Sequence, residues 1–199
     1  PKLPKKKAKS FTRDEVRAMI KATQQSRLPR RDKAVLTFLA DTAARATECV
    51  GVEVGDVGWK TGKVLLRDTK GSKERFVYMG DRCKLACMLY AKESRPEPAD
   101  PQCERLFLTQ GGHAMTRHTL RSLVKRTGKR AGVEGATTHR FRHFAATNYL
   151  KSGAVSLAHL QHLLGHASLQ QTREYTLALR DEDVQEVCQS VAPSDVMRL

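Results

Sequence analysis

The chain has 199 residues, 40% of them hydrophobic, and a formal net charge of +15 at pH 7. That length buries a core without disulfide or metal staples, and the apolar fraction excludes a disordered or fibrous chain. No apolar run approaches the roughly 18 residues that a membrane-crossing helix needs. The charge selects polyanions as partners, nucleic acid first, because no basic helix carries the bulky apolar anchors that membrane-surface binding requires.

In chain order, residues 1–10 read as a basic arm or linker, with five lysines and no acid among the first nine. Thr12 and Glu15 form a capping box, Phe11 and Val16 are spaced as a hydrophobic staple, and Val16, Met19 and Ile20 continue a helical stripe. A second helix is expected from Arg31 to Ala44, with Ala34, Val35, Phe38 and Leu39 inside, and a short one after Ala46. Lys63–Arg67 and Arg75–Met79 read as strands of a hairpin around Lys70-Gly71-Ser72. Asp81–Glu93 reads as a helix with Leu85, Met88 and Leu89 as its inner face, followed by a loop from Pro96 to Pro101.

The carboxyl half is helical. Thr116–Arg130 turns Leu120, Leu123 and Val124 inward and a dense basic face outward; Arg117, Arg121 and Lys125 there, with Lys73, Arg75 and Arg140 elsewhere, are the candidate DNA-contacting cations. Thr138 or a neighbour caps a helix running to Gly153. Ser156 caps the next, which Gly165 stops. Helices are expected from Ser168 through Tyr175 and over Val184–Val191. The fold class is therefore mainly α with a small β-hairpin or short antiparallel sheet (α+β). Residues 11–180 form the expected main domain, and residues 181–199 an acidic tail for protein–protein contact.

The five cysteines, Cys49, Cys83, Cys87, Cys103 and Cys188, are odd in number and contain no Cys-x-x-Cys. That usage fits reduced thiols in a cytoplasmic protein rather than a disulfide framework. Cys83 and Cys87 share a helix face but lack a partner pair for zinc. His159, His162 and His166, and likewise His139 and His143, fall on common helix faces, yet neither group has a carboxylate nearby and His-Glu-x-x-His is absent. No metal or other cofactor is expected.

Three clusters carry chemistry: Arg45-Ala46-Thr47-Glu48, His139-Arg140-Phe141-Arg142-His143, and Leu164-Gly165-His166 with Tyr175 nine residues later. Each alone has a bland reading: a surface Arg–Glu pair, a solvated helix face, a core tyrosine with its hydroxyl at the rim. Their order is the informative feature. Arg-x-x-Glu, a hairpin lysine about 25 residues on, His-x-x-Arg, Leu-Gly-His and a following tyrosine together resemble the catalytic domain of the tyrosine recombinase (integrase) family, over about Phe11 to Cys188.

The resemblance implies that Arg45 and Arg142 bind the scissile phosphate, that Lys70 is the hairpin lysine, that His139 opens His-x-x-Arg, that His166 is the histidine of Leu-Gly-His, and that Tyr175 is the nucleophile. Two departures are visible. Phe141 stands where the family often has Leu, and Thr42-Ala43-Ala44 where it often has Thr-Gly-Leu. The second concerns backbone packing near Arg45.

The chemistry suits these residue types. A phosphodiester is anionic; two guanidiniums bind its non-bridging oxygens as planar forks and stay protonated at any working pH. A phenol with an ordinary pKa of about 10 needs cations and a base, here a neutral His139, to attack at neutral pH. Lys70 is the candidate acid for the leaving 5′-oxygen, with Lys73 as rival. The covalent 3′-phosphotyrosyl product conserves the bond energy, so religation needs no ATP.

Expected partners are double-stranded DNA and further copies of the chain, as a tetramer on paired sites with Val184, Val187 and Val191 as a docking face. No membrane and no small-molecule substrate is expected. Because the family usually carries a separate amino-terminal DNA-clamping domain, the chain is expected to be the catalytic fragment of a longer recombinase. Two competing readings are a type IB topoisomerase-like enzyme and a non-catalytic DNA-binding module.

Overall fold

The structure, a computed structural model, describes residues 10–67, 74–153 and 155–165. Seven helices are described: α1 (Arg13–Ala22), α2 (Pro29–Thr42), α3 (Ala46–Gly51), α4 (Asp81–Glu93), α5 (Arg117–Arg130), α6 (Thr138–Lys151) and α7 (Leu157–Leu164). Between α3 and α4 runs a three-stranded antiparallel sheet in the order β1 (Val57–Gly58), β2 (Lys63–Leu66), β3 (Arg75–Tyr78). The mainly α expectation with a short antiparallel sheet holds. β1 is the strand the sequence did not announce, because two residues carry no periodicity.

α1 starts where its sequence says. The Thr12 side chain accepts from the Glu15 backbone, and the Glu15 carboxylate accepts from the Thr12 N–H at 2.7 Å. Phe11 and Val16 on either side of this cap are both buried. Phe11 packs against Phe141 of α6 with ring centroids 4.9 Å apart and the planes tilted by 59°, which fixes α1 against α6.

α2 is the central element. Six consecutive residues, Ala34 to Leu39, are buried, as expected of a helix covered on all sides. It packs against α1, α4 and α6. Its end is abrupt: Ala43 is left-handed at φ 52°, the sole non-glycine residue with positive φ among the described residues. This is the position at which the recombinase pattern has glycine, so the Thr42-Ala43-Ala44 departure places a Cβ in a conformation that costs about 1–2 kcal/mol. The reversal it makes starts α3 at Arg45, the residue that caps it.

α4 spans the expected residues but turns a different face inward. Cys83, Ala86, Cys87 and Tyr90 are buried, whereas Leu85 is 55% and Leu89 37% exposed. Both sets obey helical spacing, so periodicity does not choose between them. Small side chains at 83, 86 and 87 let α4 lie close along α2, and the Tyr90 hydroxyl accepts from the Leu108 N–H at 3.0 Å, which satisfies a buried phenol. The expected inner face of Leu85, Met88 and Leu89 is corrected accordingly.

α5 buries Leu120, Leu123 and Val124 as expected. α6 is capped by Thr137, the neighbour of Thr138. α7 is capped by Ser156 and stopped by Gly165 in the left-handed conformation at φ 61°. Cys49, Cys83, Cys87 and Cys103 are free thiols. No helix among the described residues is long and apolar enough to cross a membrane.

Candidate functional site

Three arginines from three separate segments close on the carboxyl end of α7. The Leu163 carbonyl accepts from Arg75 Nε at 2.8 Å, the Leu164 carbonyl from Arg142 Nη2 at 2.6 Å, and the Gly165 carbonyl from Arg45 Nη2 at 3.1 Å. A helix end presents unsatisfied carbonyls and the negative pole of its dipole, so cations here are satisfied and attractive. Arg142 also donates to the Ala43 carbonyl at 2.8 Å and is only 5% exposed. It thereby ties α6 to both the left-handed turn and α7. Arg45 and Arg142, far apart in sequence, are brought to one place, and the residue after Gly165 is His166.

Glu48 organises the positive side. It is 2% exposed and receives Arg75 at both oxygens, at 2.5 and 2.8 Å, and Arg45 Nη1 at 2.9 Å; it also accepts from the Arg45 backbone N–H at 2.6 Å. Burial alone raises its pKa, but the Arg75 hydrogen bonds and charge, joined by Arg45, outweigh that and hold the carboxyl below its ordinary value. A buried carboxylate shared by two guanidiniums is satisfied and fixes where both forks point. The Arg45–Glu48 pair noted in the sequence therefore exists, with Glu48 buried and Arg45 partly exposed above it.

His139 is exposed on the first turn of α6, one turn before Arg142 on the same side. Its Nε2 lies 2.9 Å from Nε2 of His143, with the rings edge to face. Such a contact requires one ring nitrogen to donate and the other to accept, so the two rings share one proton at that contact. His143 appears in the sequence pattern only as a neighbour of Arg142, and its pairing with His139 follows from the four-residue spacing on one helix.

Two candidate DNA contacts, Arg75 and Arg140, have partners within the protein. Arg75 is not a surface cation: it is buried against Glu48 and Leu163. The strand alternation explains this, since Arg75 and Val77 face inward and Phe76 and Tyr78 outward. Arg140 braces α1 against α6: its guanidinium lies 4.0 Å from the centre of the Phe11 ring, reaches Glu15 at 3.2 Å and donates to the Glu134 carbonyl. Arg117, Arg121 and Lys125 are exposed along one flank of α5. Lys70, Lys73, His166 and Tyr175 lie outside the described residues, as does the tail with Val184, Val187 and Val191. Among the described residues, no group of three or more His, Cys, Asp or Glu gathers to hold a metal.

A chain with this helical architecture, a three-stranded sheet and two arginines converging from Arg-x-x-Glu and His-x-x-Arg defines a class, and comparison with known proteins names it. The family model described as "Phage integrase family" matches residues 9–182, and the chain belongs to that family. It is 36% identical to "Tyrosine recombinase XerD" of Corynebacterium glutamicum over 73% of this chain and 48% of that protein. It is also 36% identical to "Tyrosine recombinase XerC 2" of Ralstonia nicotianae, over 88% of this chain and 51% of that one. Among solved structures, the XerA recombinase crystal structure superposes with a TM-score of 0.81 at 27% identity, covering 96% of this chain and 67% of that one. The chain thus spans about half the length of these two curated relatives.

Proposed function

We propose that the chain is the catalytic part of a site-specific DNA recombinase that cuts and rejoins double-stranded DNA through a 3′-phosphotyrosyl intermediate. The observation that carries this reading is the convergence of Arg45 and Arg142 on one turn and one helix end, with Glu48 fixing Arg45. Kinship with proteins named tyrosine recombinases supports it.

In this reading the two guanidiniums clamp the non-bridging oxygens and stabilise the charge that grows on the pentacoordinate phosphorus. The Tyr175 oxygen forms a bond to phosphorus while the bond to the 5′-oxygen breaks. The phenol proton passes to His139, and the 5′-oxygen takes a proton from Lys70, with Lys73 as the alternative donor. Proton transfers of this kind contribute about 10²- to 10⁴-fold each. His166 donates a hydrogen bond to a phosphate oxygen. Return of the 5′-hydroxyl reverses every step, so neither metal nor ATP enters.

The remaining assignments belong to the same proposal. Residues 1–10 form a basic arm, 11–180 the catalytic domain and 181–199 a contact segment between copies in a tetramer on paired sites. Arg117, Arg121 and Lys125 follow the DNA backbone. The protein acts in the cytoplasm, where thiols stay reduced.

The test is a nicked suicide duplex carrying the cognate site. The expected result is a covalent protein–DNA adduct on a denaturing gel that disappears in Tyr175→Phe. An adduct that survives that substitution refutes the assignment of the nucleophile. Formation of four-way junctions between two sites, rather than relaxation of supercoils alone, separates recombination from topoisomerase activity.

A further inference from the structure

A second cationic site lies away from the arginine cluster. A cavity of about 330 Å³ opens between the amino end of α2 and the carboxyl half of α5, lined by Ser26, Arg27, Arg31, Asp32, Arg126 and Arg130 among others. It shares no lining residue with the site built on Arg45 and Arg142. That volume is at the small end of ligand sites.

Charge within it is unbalanced. Asp32 is taken by Arg31, at 2.6 Å, and Arg31 also donates to the Leu108 carbonyl at 3.2 Å. This holds one guanidinium rigidly at the wall. Arg27, Arg126 and Arg130 are exposed, and no ion pair engages them among the described residues. Three positive charges therefore face one small concavity.

One polar group of the wall lacks a partner of its own. The Ser26 hydroxyl is buried and makes no hydrogen bond. α2 begins at Leu28 with no side-chain cap, and the acid in its first turn, Asp32, is held by Arg31. A buried hydroxyl without a partner costs about 1–3 kcal/mol, a debt that a bound oxyanion removes.

The cavity is also turned away from the flank expected to follow DNA. At about 100° per residue, Arg126 and Arg130 stand about 180° and 220° around α5 from Arg117, whereas Arg121 and Lys125 stand at about 40° and 80°. One helix thus carries two cationic flanks.

We propose that this cavity binds a phosphate group bearing more than one negative charge, with Arg27, Arg126 and Arg130 as its cations and Ser26 as a hydrogen-bond donor. Two sources share that chemistry: a small free polyphosphate, and the backbone of a DNA segment away from the cleavage site. The concavity and three converging charges favour the free polyanion, because a diester in a duplex offers one charge per phosphate along a convex surface.

The experiment uses the full chain at fixed ionic strength and three probes: inorganic pyrophosphate, a nucleoside triphosphate without metal, and a duplex lacking any recombination site. Arg126→Gln/Arg130→Gln is compared with Arg117→Gln/Arg121→Gln by calorimetry and thermal shift. All four positions are exposed, so both variants keep the melting temperature of the parent without ligand. The expected result is saturable pyrophosphate or nucleotide binding that falls at least tenfold in the first variant and less than twofold in the second.

Ser26→Ala adds a readout that a packing role does not move: the ligand-free protein melts higher and the pyrophosphate-induced shift shrinks. If the small polyanions do not bind but duplex affinity falls in the first variant, with a salt slope shallower by about two, the phosphate comes from DNA. Equal losses of pyrophosphate and nucleotide binding in both double variants, or no loss of any probe's binding in the first, overturn the site. Tyr175→Phe binds these probes like the parent, so failure here and failure of the strand-cleavage reading are told apart.

Discussion

Arg75 and Glu48 meet fork to fork, with both carboxylate oxygens held at 2.5 and 2.8 Å, between the first residue of β3 and the middle of α3. The pair joins the strand that follows residues 68–73, the segment holding Lys70, to the helix capped by Arg45. Through Arg75 Nε it reaches α7 as well. Three of the candidate catalytic segments therefore share one buried ion pair.

Removing one partner of such a pair strands the other. Arg75→Ala is expected to destabilise by about 3–5 kcal/mol, and Arg75→Lys by less but still measurably, because an ammonium cannot fill two oxygens and a carbonyl in one plane. Urea unfolding followed by circular dichroism measures both. Arg117→Ala, on the exposed flank of α5, is the control and stays within about 0.5 kcal/mol. Losses of equal size at 75 and 117 contradict the placement of Arg75.

The same pair sets part of the acid limit of stability. Glu48 titrates below its ordinary value in the folded chain, so the folded state binds fewer protons than the unfolded one at mildly acidic pH. Its contribution is fully present above the unfolded carboxyl pKa of about 4.3 and is lost as pH falls through the lower folded value. Glu48→Gln is expected to be least stable relative to the parent at pH 7 and to close that gap below about pH 4. Thermal melts across pH 3–7 test this; a gap constant with pH contradicts it.

Asp41 runs the other way. Burial raises its carboxyl, and the Gly80 N–H hydrogen bond opposes that only in part. The charged form is therefore a cost that is fully present above the raised folded value and disappears as pH falls below the unfolded one. Asp41→Asn keeps a carbonyl oxygen for Gly80 and removes the charge. The variant is expected to gain stability at pH 7 and lose that advantage near pH 3. The same series of melts reads both changes, with opposite signs.

Local chemistry made much of this fold legible. Thr12 with Glu15, Ser156 and Gly165 mark helix ends because capping uses side chains a few residues away. The hairpin strands show because alternation is local too. What stayed hidden depends on distance. Nothing near Arg75 says that its partner is Glu48, 27 residues earlier, and a basic residue in a basic segment reads as a DNA contact. Arg140 likewise has its acid far off in sequence, Glu15 on α1. On α4 the leucines outweigh the small residues in hydropathy, yet close approach to α2 rewards the small ones. Of the candidate site, Arg45 and Arg142 were visible from spacing, while Glu48 as a shared anchor and His143 as the partner of His139 needed the fold.

That α4 inversion has a direct consequence. Leu85→Gln and Leu89→Gln change exposed positions and are expected to cost less than about 0.5–1 kcal/mol each. Ala86→Leu places three extra carbons between α2 and α4 and is expected to cost about 1–3 kcal/mol. The reversed order in denaturant midpoints contradicts the observed face.

Ala43 offers a sharper measurement because two effects nearly cancel there. Its backbone is left-handed at φ 52°, and its side chain is fully buried beside Ala145, Ala146, Leu160 and Leu164. Ala43→Gly relieves about 1–2 kcal/mol of backbone strain. It also removes a buried methyl worth about 0.8 kcal/mol and frees the unfolded chain by about 0.4–1 kcal/mol. The net change is expected within about 1 kcal/mol of zero. Ala43→Val has no such compensation, since a β-branched residue is a genuine outlier at positive φ, and it is expected to destabilise by at least about 2 kcal/mol. Because the Ala43 carbonyl holds Arg142, the valine variant also disturbs the arginine proposed to bind the phosphate, and on that proposal adduct formation on a suicide duplex falls with it while the glycine variant retains activity. A valine variant as stable and active as the parent is incompatible with a left-handed residue at the turn that aims Arg45.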